Sequence, residues 1–366
     1  MISPAIDKLL FCIWHHQPLQ KAHSQHRYIT EVCMRVLNEC KSRYIPTIRE
    51  NKFVEDLHRV ERKLSNQLSF AAMKMFREPD KAFSYFHYGD SALSIDVGPI
   101  QVSCTALQGT RPRMEDTVLC SILTLNICGR EEKAYLTAIF DGHGGSTYSR
   151  YLEHSFAKHL QNEINIIGNE RRSLDKVTIW NALKLTFVHM QKKLLERLDT
   201  PAPRGGSTAI VCLIIQEQLW TACLGDSRAI LVGKDNCVQL SEDALPTDAR
   251  YLKSIKKRHG MVERGRILSK KVSLEPARAF GDFDVPGVSQ RPKITVFPLM
   301  LSDVVILACD GLWNVAASRQ IAQAIQQRVD ISLSQLSNDI ANSAFISGSR
   351  DNITVVAIKL RPPPSR

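Results

Sequence analysis

Ala134-Tyr135-Leu136-Thr137-Ala138-Ile139-Phe140-Asp141-Gly142-His143-Gly144-Gly145 is the stretch on which the fold turns. Its first seven residues form a short apolar, β-favouring run. The run ends in Asp-Gly, a pair that ordinarily closes a hairpin. A hairpin needs a returning strand, and none follows: Tyr148, Tyr151, Leu152, Phe156 and Leu160 keep helical spacing after Gly144. Val304 to Cys309 repeats the arrangement, with Asp310-Gly311 and then helical spacing beyond Val315 at Ile321, Ala324 and Ile325. Asp351-Asn352 opens the run Ile353 to Leu360, and Glu115-Asp116 precedes a further apolar run. The pattern is one of carboxylates set at strand ends.

Working outward, β-rich runs are expected at Gln101 to Ala106, Ser207 to Ile215, Gln218 to Leu224 and Ala229 to Val232. The tight link Gln216-Glu217 makes at least part of the sheet antiparallel. A second helix is expected after Asp175, with Ile179, Leu183, Phe187, Met190 and Leu194 on one face. Strands covered by helices give an α+β architecture. Residues 1–95 read as a helical extension, with one stripe of Ile29, Val32, Cys33, Val36 and Leu37 and another of Val54, Leu57, Val60, Leu64 and Leu68. The expected division is 1–95 extension, 96–361 main domain and 362–366 Pro-rich tail.

Composition removes whole classes. With 366 residues, 44% hydrophobic and 23% charged, the chain is globular rather than disordered or fibrous. A membrane span needs about 18 consecutive apolar residues, and the longest runs are Ala209 to Ile215 and Val304 to Cys309. Leu9 to Trp14 is too short for a signal-peptide core. Ten cysteines without a CxxC pair read as buried thiols in a reducing compartment, cytoplasmic or nucleocytoplasmic. Cys12, His15, His16, His23 and His26 fit no common zinc spacing. Trp14, Phe83, Tyr85, Phe86 and Tyr88 read as core or docking aromatics rather than a base-stacking platform.

Converging carboxylates without a cysteine cluster or HExxH suit hard cations such as Mg²⁺ or Mn²⁺. A carboxylate can bridge two such ions about 3.5–4 Å apart, which together activate water and neutralise a phosphoryl group. On spacing alone this is the outline of a phosphoryl-transfer site.

The ordered motifs carry a resemblance. They are Gly109-Thr110-Arg111-Pro112-Arg113-Met114-Glu115-Asp116, Phe140 to Gly145, Gly206-Ser207-Thr208-Ala209 and Leu224-Gly225-Asp226-Ser227-Arg228. Ala279-Phe280-Gly281-Asp282, Ala308 to Trp313 and Arg350-Asp351-Asn352-Ile353-Thr354 complete the series. Over about residues 97–360 the chain resembles the metal-dependent serine/threonine protein phosphatases of type 2C, the PPM family. The resemblance implies a central antiparallel β-sandwich flanked by helices, with two Mn²⁺ or Mg²⁺ ions at one end. It implies that Asp141 bridges the ions, that the Gly142 carbonyl ligates one, and that Asp310 and Asp351 ligate the other. Glu115 and Asp116 would hold metal-bound waters, and Asp226 with Asp310 would help hold a weaker third ion. Arg111 would clamp the phosphate. His143 would protonate the departing serine or threonine oxygen after direct attack of a metal-activated water. No phosphoenzyme is expected.

Two stretches depart from the family pattern. Asp243-Ala244-Leu245-Pro246 lacks the usual histidine, and Leu274-Glu275-Pro276-Ala277-Arg278 replaces an Ala-Val-Ser-Arg run. Both fall on the flap and substrate surface. The chain's net charge of +11 is concentrated there: Arg250 to Lys271 hold nine Lys+Arg against Glu263 alone. Lys256, Lys257 and Arg258 are therefore candidate contacts for acidic phosphoproteins, against the plainer reading of a solvated helix and loop. Intact ligand positions argue against a catalytically dead scaffold, and the ordered motifs argue against a two-metal nuclease. A monomer that acts on phosphoproteins, with no nucleic-acid partner and no membrane span, is expected.

Overall fold

The apolar run before Asp141 is the final part of a strand, Arg130–Phe140, because both of its faces find cover. Leu136, Ala138 and Phe140 join a cluster that includes the helical residues Leu152, Phe156 and Phe187, while Ile139 is buried on the opposite face. The strand starts earlier than the apolar pattern. Cys128 and Gly129, with φ of 51° and 78°, make a tight turn that sets Ile127 opposite Arg130 and draws a polar segment into the ladder.

The computed structural model describes residues 91–97, 100–197, 204–269, 272–300, 303–328 and 331–360, with backbone only for 91–97 and Arg197. The expected N-terminal helices, the Cys12/His15 group, the N-terminal aromatics, the proline tail, Lys270 and Lys271 lie outside the described residues.

The first elements are β1 Ser91–Val97, β2 Ile100–Leu107, β3 Thr117–Ile127, β4 Arg130–Phe140 and β5 Gly142–His143. Helices α1 Thr147–Arg171 and α2 Lys176–Arg197 follow. Next come β6 Gly206–Ser207, β7 Ala209–Ile215, β8 Gln218–Leu224, β9 Arg228–Val232 and β10 Cys237–Gln239. The flap region holds α3 Ala249–Lys257, β11 Met261–Glu263, β12 Arg266–Leu268 and β13 Ser273–Leu274. Then follow β14 Phe280–Gly281, β15 Lys293–Pro298, β16 Val304–Ala308, α4 Asp310–Trp313, α5 Ser318–Gln326, α6 Leu333–Ile346 and β17 Ile353–Leu360.

Two large sheets have strand orders β1-β2-β17-β16-β9-β10 and β15-β8-β7-β4-β3. Pairing within the second is antiparallel throughout, and Gln216 and Glu217, both at positive φ, close the β7–β8 hairpin expected from the sequence. Helices α1 and α2 cover this sheet, with Phe140, Phe156, Phe187 and Phe280 in successive ring contacts at 5.6, 5.3 and 5.1 Å. Each such fully buried side chain contributes about 1.5–3 kcal/mol. Helices α4, α5 and α6 cover the first sheet through Leu312, Ile321 and Ile340 against Ile306, Val355 and Ala357. Val305, Leu307, Val356 and Ile358 are buried on the opposite face, and β16 touches β4 across the sheets. The architecture is the α+β sandwich expected.

The register decides where the carboxylates go. Thr117 pairs with Phe140, so Glu115 and Asp116 enter β3 where Asp141 leaves β4. Ala308 pairs with Val355, so Asp310 and Asp351 flank the same end of the other sheet. Leu224 pairs with Ala209, which brings Asp226 to that end as well.

Several boundaries differ from expectation. The run Ser207 to Ile215 is broken at Thr208, whose N–H donates to the Asp141 carbonyl at 2.9 Å, so that Gly206–Ser207 joins a separate small sheet. Ala324 is exposed, and Ala322 takes the buried place beside Ile321 and Ile325. Helix α6 escapes an apolar-pattern reading because Ser334, Ser337 and Ser343 interrupt it. Ser337 is fully buried there, and its hydroxyl meets Ser103 and Thr105 at 2.9 and 3.0 Å.

Candidate active site

Gly142 sits where a Cβ would lie 2.5 Å from the Glu115 carbonyl oxygen and 2.8 Å from Ser149 Oγ. Only glycine lets these segments close. Ser149 Oγ donates to the Glu115 carbonyl at 2.6 Å and so ties the start of α1 to the loop before β3. On the other side, Asn352 Oδ1 accepts the Glu115 N–H at 2.8 Å, and Asn352 Nδ2 donates to the carbonyls of Gln108 and Arg113.

These constraints shape a cavity of about 340 Å³. Glu115, Asp141, Asp226, Asp310 and Asp351 line it, together with the Gly142 backbone, His143 and Arg111. Asp116 lies behind the wall, 2% exposed, and its Oδ2 accepts from Thr354 Oγ1 at 2.6 Å. One oxygen each of Asp116 and Asp141 and the Cys309 sulfur fall within 4.8 Å of one another. The sulfur is engaged, accepting from the Thr354 N–H at 3.1 Å and donating to the Asn352 carbonyl at 3.3 Å.

So many carboxylates in one place hold their protons abnormally. Burial, and then the neighbouring charges of Asp116, Asp310, Asp226 and Asp351, push Asp141 well above the usual carboxylate range. Burial and Asp310 do the same to Asp226. Burial raises Asp116 to about 7, against the opposing hydrogen bonds from Thr354 and Cys309. Asp310 rises to about 6 through burial, Asp351 and Glu275. Like charges about 5 Å apart repel by roughly 3 kcal/mol at an effective dielectric of 20, a cost that divalent cations remove. The donor set of carboxylate oxygens plus a glycine carbonyl suits hard ions, so the residues present fit Mg²⁺ or Mn²⁺.

Arg111 bonds Asp351 Oδ2 at 2.5 Å. Burial works against its charge, but Asp351, Asp310 and Asp141 hold it more firmly protonated than usual. His143 Nε2 lies 2.7 Å from Asp282 Oδ2. Arg113, Arg204 and Arg266 also line the cavity, and Arg266 Nη1 reaches Glu275 Oε2 at 2.6 Å.

Of the three basic candidates, none lines the cavity. Lys256 and Lys257 are exposed at the end of α3. Arg258 is half-buried, with Nε and Nη2 on the Gly287 carbonyl at 3.0 and 2.8 Å and Nη1 on Ser254 Oγ at 2.6 Å. Asn352, Glu275 and Arg266 are site residues to which the sequence reading assigns no role. Glu275 stands in a stretch that departs from a motif, but the roles of Asn352 and Arg266 depend on contacts with segments far away in sequence. Among described residues, Cys104, Cys120, Cys212, Cys223 and Cys309 are buried thiols, whereas Cys128 and Cys237 are exposed. No helix among the described residues is long and apolar enough to cross a membrane.

Comparison with known proteins gives the arrangement its family. Protein phosphatase 1L of Bos taurus is 26% identical over 266 residues, covering 71% of this chain and 72% of that protein. Integrin-linked kinase-associated serine/threonine phosphatase 2C of Bos taurus is 32% identical over 248 residues, covering 61% of this chain and 65% of that protein. Among solved structures, a C. elegans sex determining protein superimposes with a TM-score of 0.60 at 27% identity, covering 84% of this chain and 74% of that one. A serine-threonine phosphatase 2C from Toxoplasma gondii shares the fold with a TM-score of 0.62 at 20% identity, over 74% of this chain and 98% of that one. The family model described as Protein phosphatase 2C matches residues 100–353. That match runs from β2 to the first residue of β17 and takes in every strand end bearing a cavity carboxylate: the chain belongs to the Protein phosphatase 2C family and is a metal-dependent protein serine/threonine phosphatase.

Proposed function

We propose that the chain hydrolyses phosphoserine and phosphothreonine in proteins by direct attack of water at a centre of two Mn²⁺ or Mg²⁺ ions, with a weaker third site. The observation that carries this reading is the convergence of Asp141, Asp226, Asp310 and Asp351 in one cavity, several of them holding protons far above the carboxylate range. Asp141 would bridge the ions, with the Gly142 carbonyl on one side and Asp310 and Asp351 on the other. Glu115 and Asp116 would fix coordinated waters, and Asp226 with Asp310 would hold the third ion. Bound ions supply Lewis acidity, which activates water and neutralises phosphoryl charge.

The remaining work falls to side chains. Arg111 presents a planar fork at the cavity wall, suited to two phosphoryl oxygens, and would leave Asp351 to take them. His143 would give its proton to the departing serine or threonine oxygen, since an alkoxide is a poor leaving group. Arg113, Arg204 and Arg266 in the wall, with Lys256 and Lys257 outside it, favour acidic phosphoproteins.

The test is phosphate release from a phosphothreonine peptide with Mn²⁺, with Mg²⁺ and with EDTA, alongside single-stranded DNA. Metal-dependent release of phosphate with intact DNA is expected. Cleavage of DNA, or no turnover under either metal, overturns the reading.

A further inference from the structure

We propose that Asp282 is the positioning residue that fixes the ring of His143 and so directs its proton toward the leaving oxygen. The proposal rests on the reading of His143 as the general acid.

The geometry comes from the small sheet β14-β6-β5. Gly206 pairs with His143 on one side and with Gly281 on the other, so the residue after Gly281 lies beside the imidazole. The approach depends on missing side chains. A Cβ on Gly206 would lie 2.5 Å from Asp282 Oδ2, and one on Gly205 would lie 2.2 Å from the His143 carbonyl oxygen. Gln191 of α2 clamps the Gly281 backbone from both sides, accepting from its N–H at 2.9 Å and donating to its carbonyl at 3.2 Å. The Asp282 N–H donates to the Gly205 carbonyl at 3.0 Å.

The carboxylate that results is 3% exposed and sits 2.7 Å from His143 Nε2. A carboxylate can only accept, so Nε2 donates in this contact; the proton passed to the leaving oxygen is then the second one, carried on Nδ1 of the doubly protonated ring, which returns to the Nε2–H tautomer. Asp282 holds φ of +46°, a left-handed conformation unusual for a non-glycine residue. Strained backbone of this kind persists where the surroundings enforce it, and it gathers at functional sites. Asp282 also lines the cavity, where its Oδ2 is turned onto the His143 ring. It acts through His143.

Asp282→Asn and Asp282→Gly both tolerate positive φ, which keeps the fold testable. With Mn²⁺ saturating, each should lower kcat on a phosphoserine peptide by about 10- to 100-fold, within the range of a general acid. KM should stay nearly constant. An aryl phosphate with an acidic phenol as leaving group needs little protonation, and its kcat should fall much less. On a His143→Gln background the Asp282 substitution should add almost nothing. Equal losses on the two substrates, or fully additive losses, overturn the proposal. Nitrogen-15 spectra of His143 decide the geometry without turnover: the neutral native ring should carry its proton on Nε2, with Nδ1 taking up the second, transferable proton, and Asp282→Asn should disturb that tautomer. A native ring protonated on Nδ1 alone, or one unmoved by the substitution, overturns the proposal. Absence of native turnover would count against the phosphatase reading, while the spectra would still decide whether Asp282 sets the His143 ring.

Discussion

Asn352 Oδ1 accepts the backbone N–H of Glu115 at 2.8 Å and thereby couples the carboxylate ahead of β3 to the one ahead of β17, 237 positions along the chain. Asn352 is 5% exposed, and its amide nitrogen adds two donations, to Gln108 and Arg113. Asn352→Ala strands three backbone groups at once. The three groups are only partly buried, so each costs toward or below the lower end of the range of about 1–3 kcal/mol for a fully buried orphan. A denaturant titration should show a loss of about 1–3 kcal/mol, with weaker Mn²⁺ binding by calorimetry because Glu115 is released. A loss below about 0.5 kcal/mol, typical of an uninvolved surface site, would contradict the role given to this side chain.

Stability should depend on pH in an unusual direction once metal is stripped. Unfolded aspartates titrate near about 3.9, whereas Asp116 and Asp310 are raised to about 7 and about 6 in the folded chain. Between these limits the folded state binds more protons than the unfolded one, so their contribution to stability falls as pH rises. Mn²⁺ offsets the repulsion most where the carboxylates are most ionised. Thermal melts should therefore show a larger Mn²⁺-induced rise in Tm at about pH 7.5 than at about pH 5. Equal rises at the two pH values would count against the electrostatic account.

The basic flap divides into two kinds of residue. Arg258 makes three hydrogen bonds to Gly287 and Ser254, so Arg258→Ala should cost about 1–3 kcal/mol in a denaturant titration. Lys256 and Lys257 are exposed, and replacing both by Ser should change stability by less than about 0.5 kcal/mol. The Lys pair should instead raise KM for an acidic phosphopeptide several-fold at low salt, with little change for a small aryl phosphate. Equal effects on the two substrates would remove these residues from substrate attraction.

What the sequence disclosed, and what it hid, follows from the range of each interaction. Strand ends such as Phe140-Asp141 and Cys309-Asp310 are local signals, since the apolar run and its terminating Asp-Gly lie within a few residues. The helical faces after Gly144 and Asp175 were legible for the same reason, and their predicted residues are buried, apart from the half-buried Tyr151. The polar start of β4 was hidden because Arg130 to Lys133 gain strand character only from pairing with β3. Helix α6 was hidden because Ser337, polar in sequence, is satisfied only by Ser103 and Thr105. In the site, the carboxylates could be named from their motifs, but Asn352 over Glu115 and Asp282 beside His143 arise from tertiary contacts. The charge run pointed to Arg258, and the structure ties that guanidinium to Gly287, while Arg266 of the same run reaches the cavity wall.

The central claim is that Asp141 organises a metal centre on which phosphate release depends. Its most direct test is the rate of phosphate release from a phosphothreonine peptide at saturating Mn²⁺, wild type against Asp141→Asn, with bound Mn²⁺ counted in both proteins. The account predicts a rate loss of about 1000-fold or more, equivalent to at least about 4 kcal/mol of barrier, together with loss of tightly bound Mn²⁺ in the variant. A variant that keeps its Mn²⁺ and stays within about tenfold of the wild-type rate, about 1.4 kcal/mol, would contradict it.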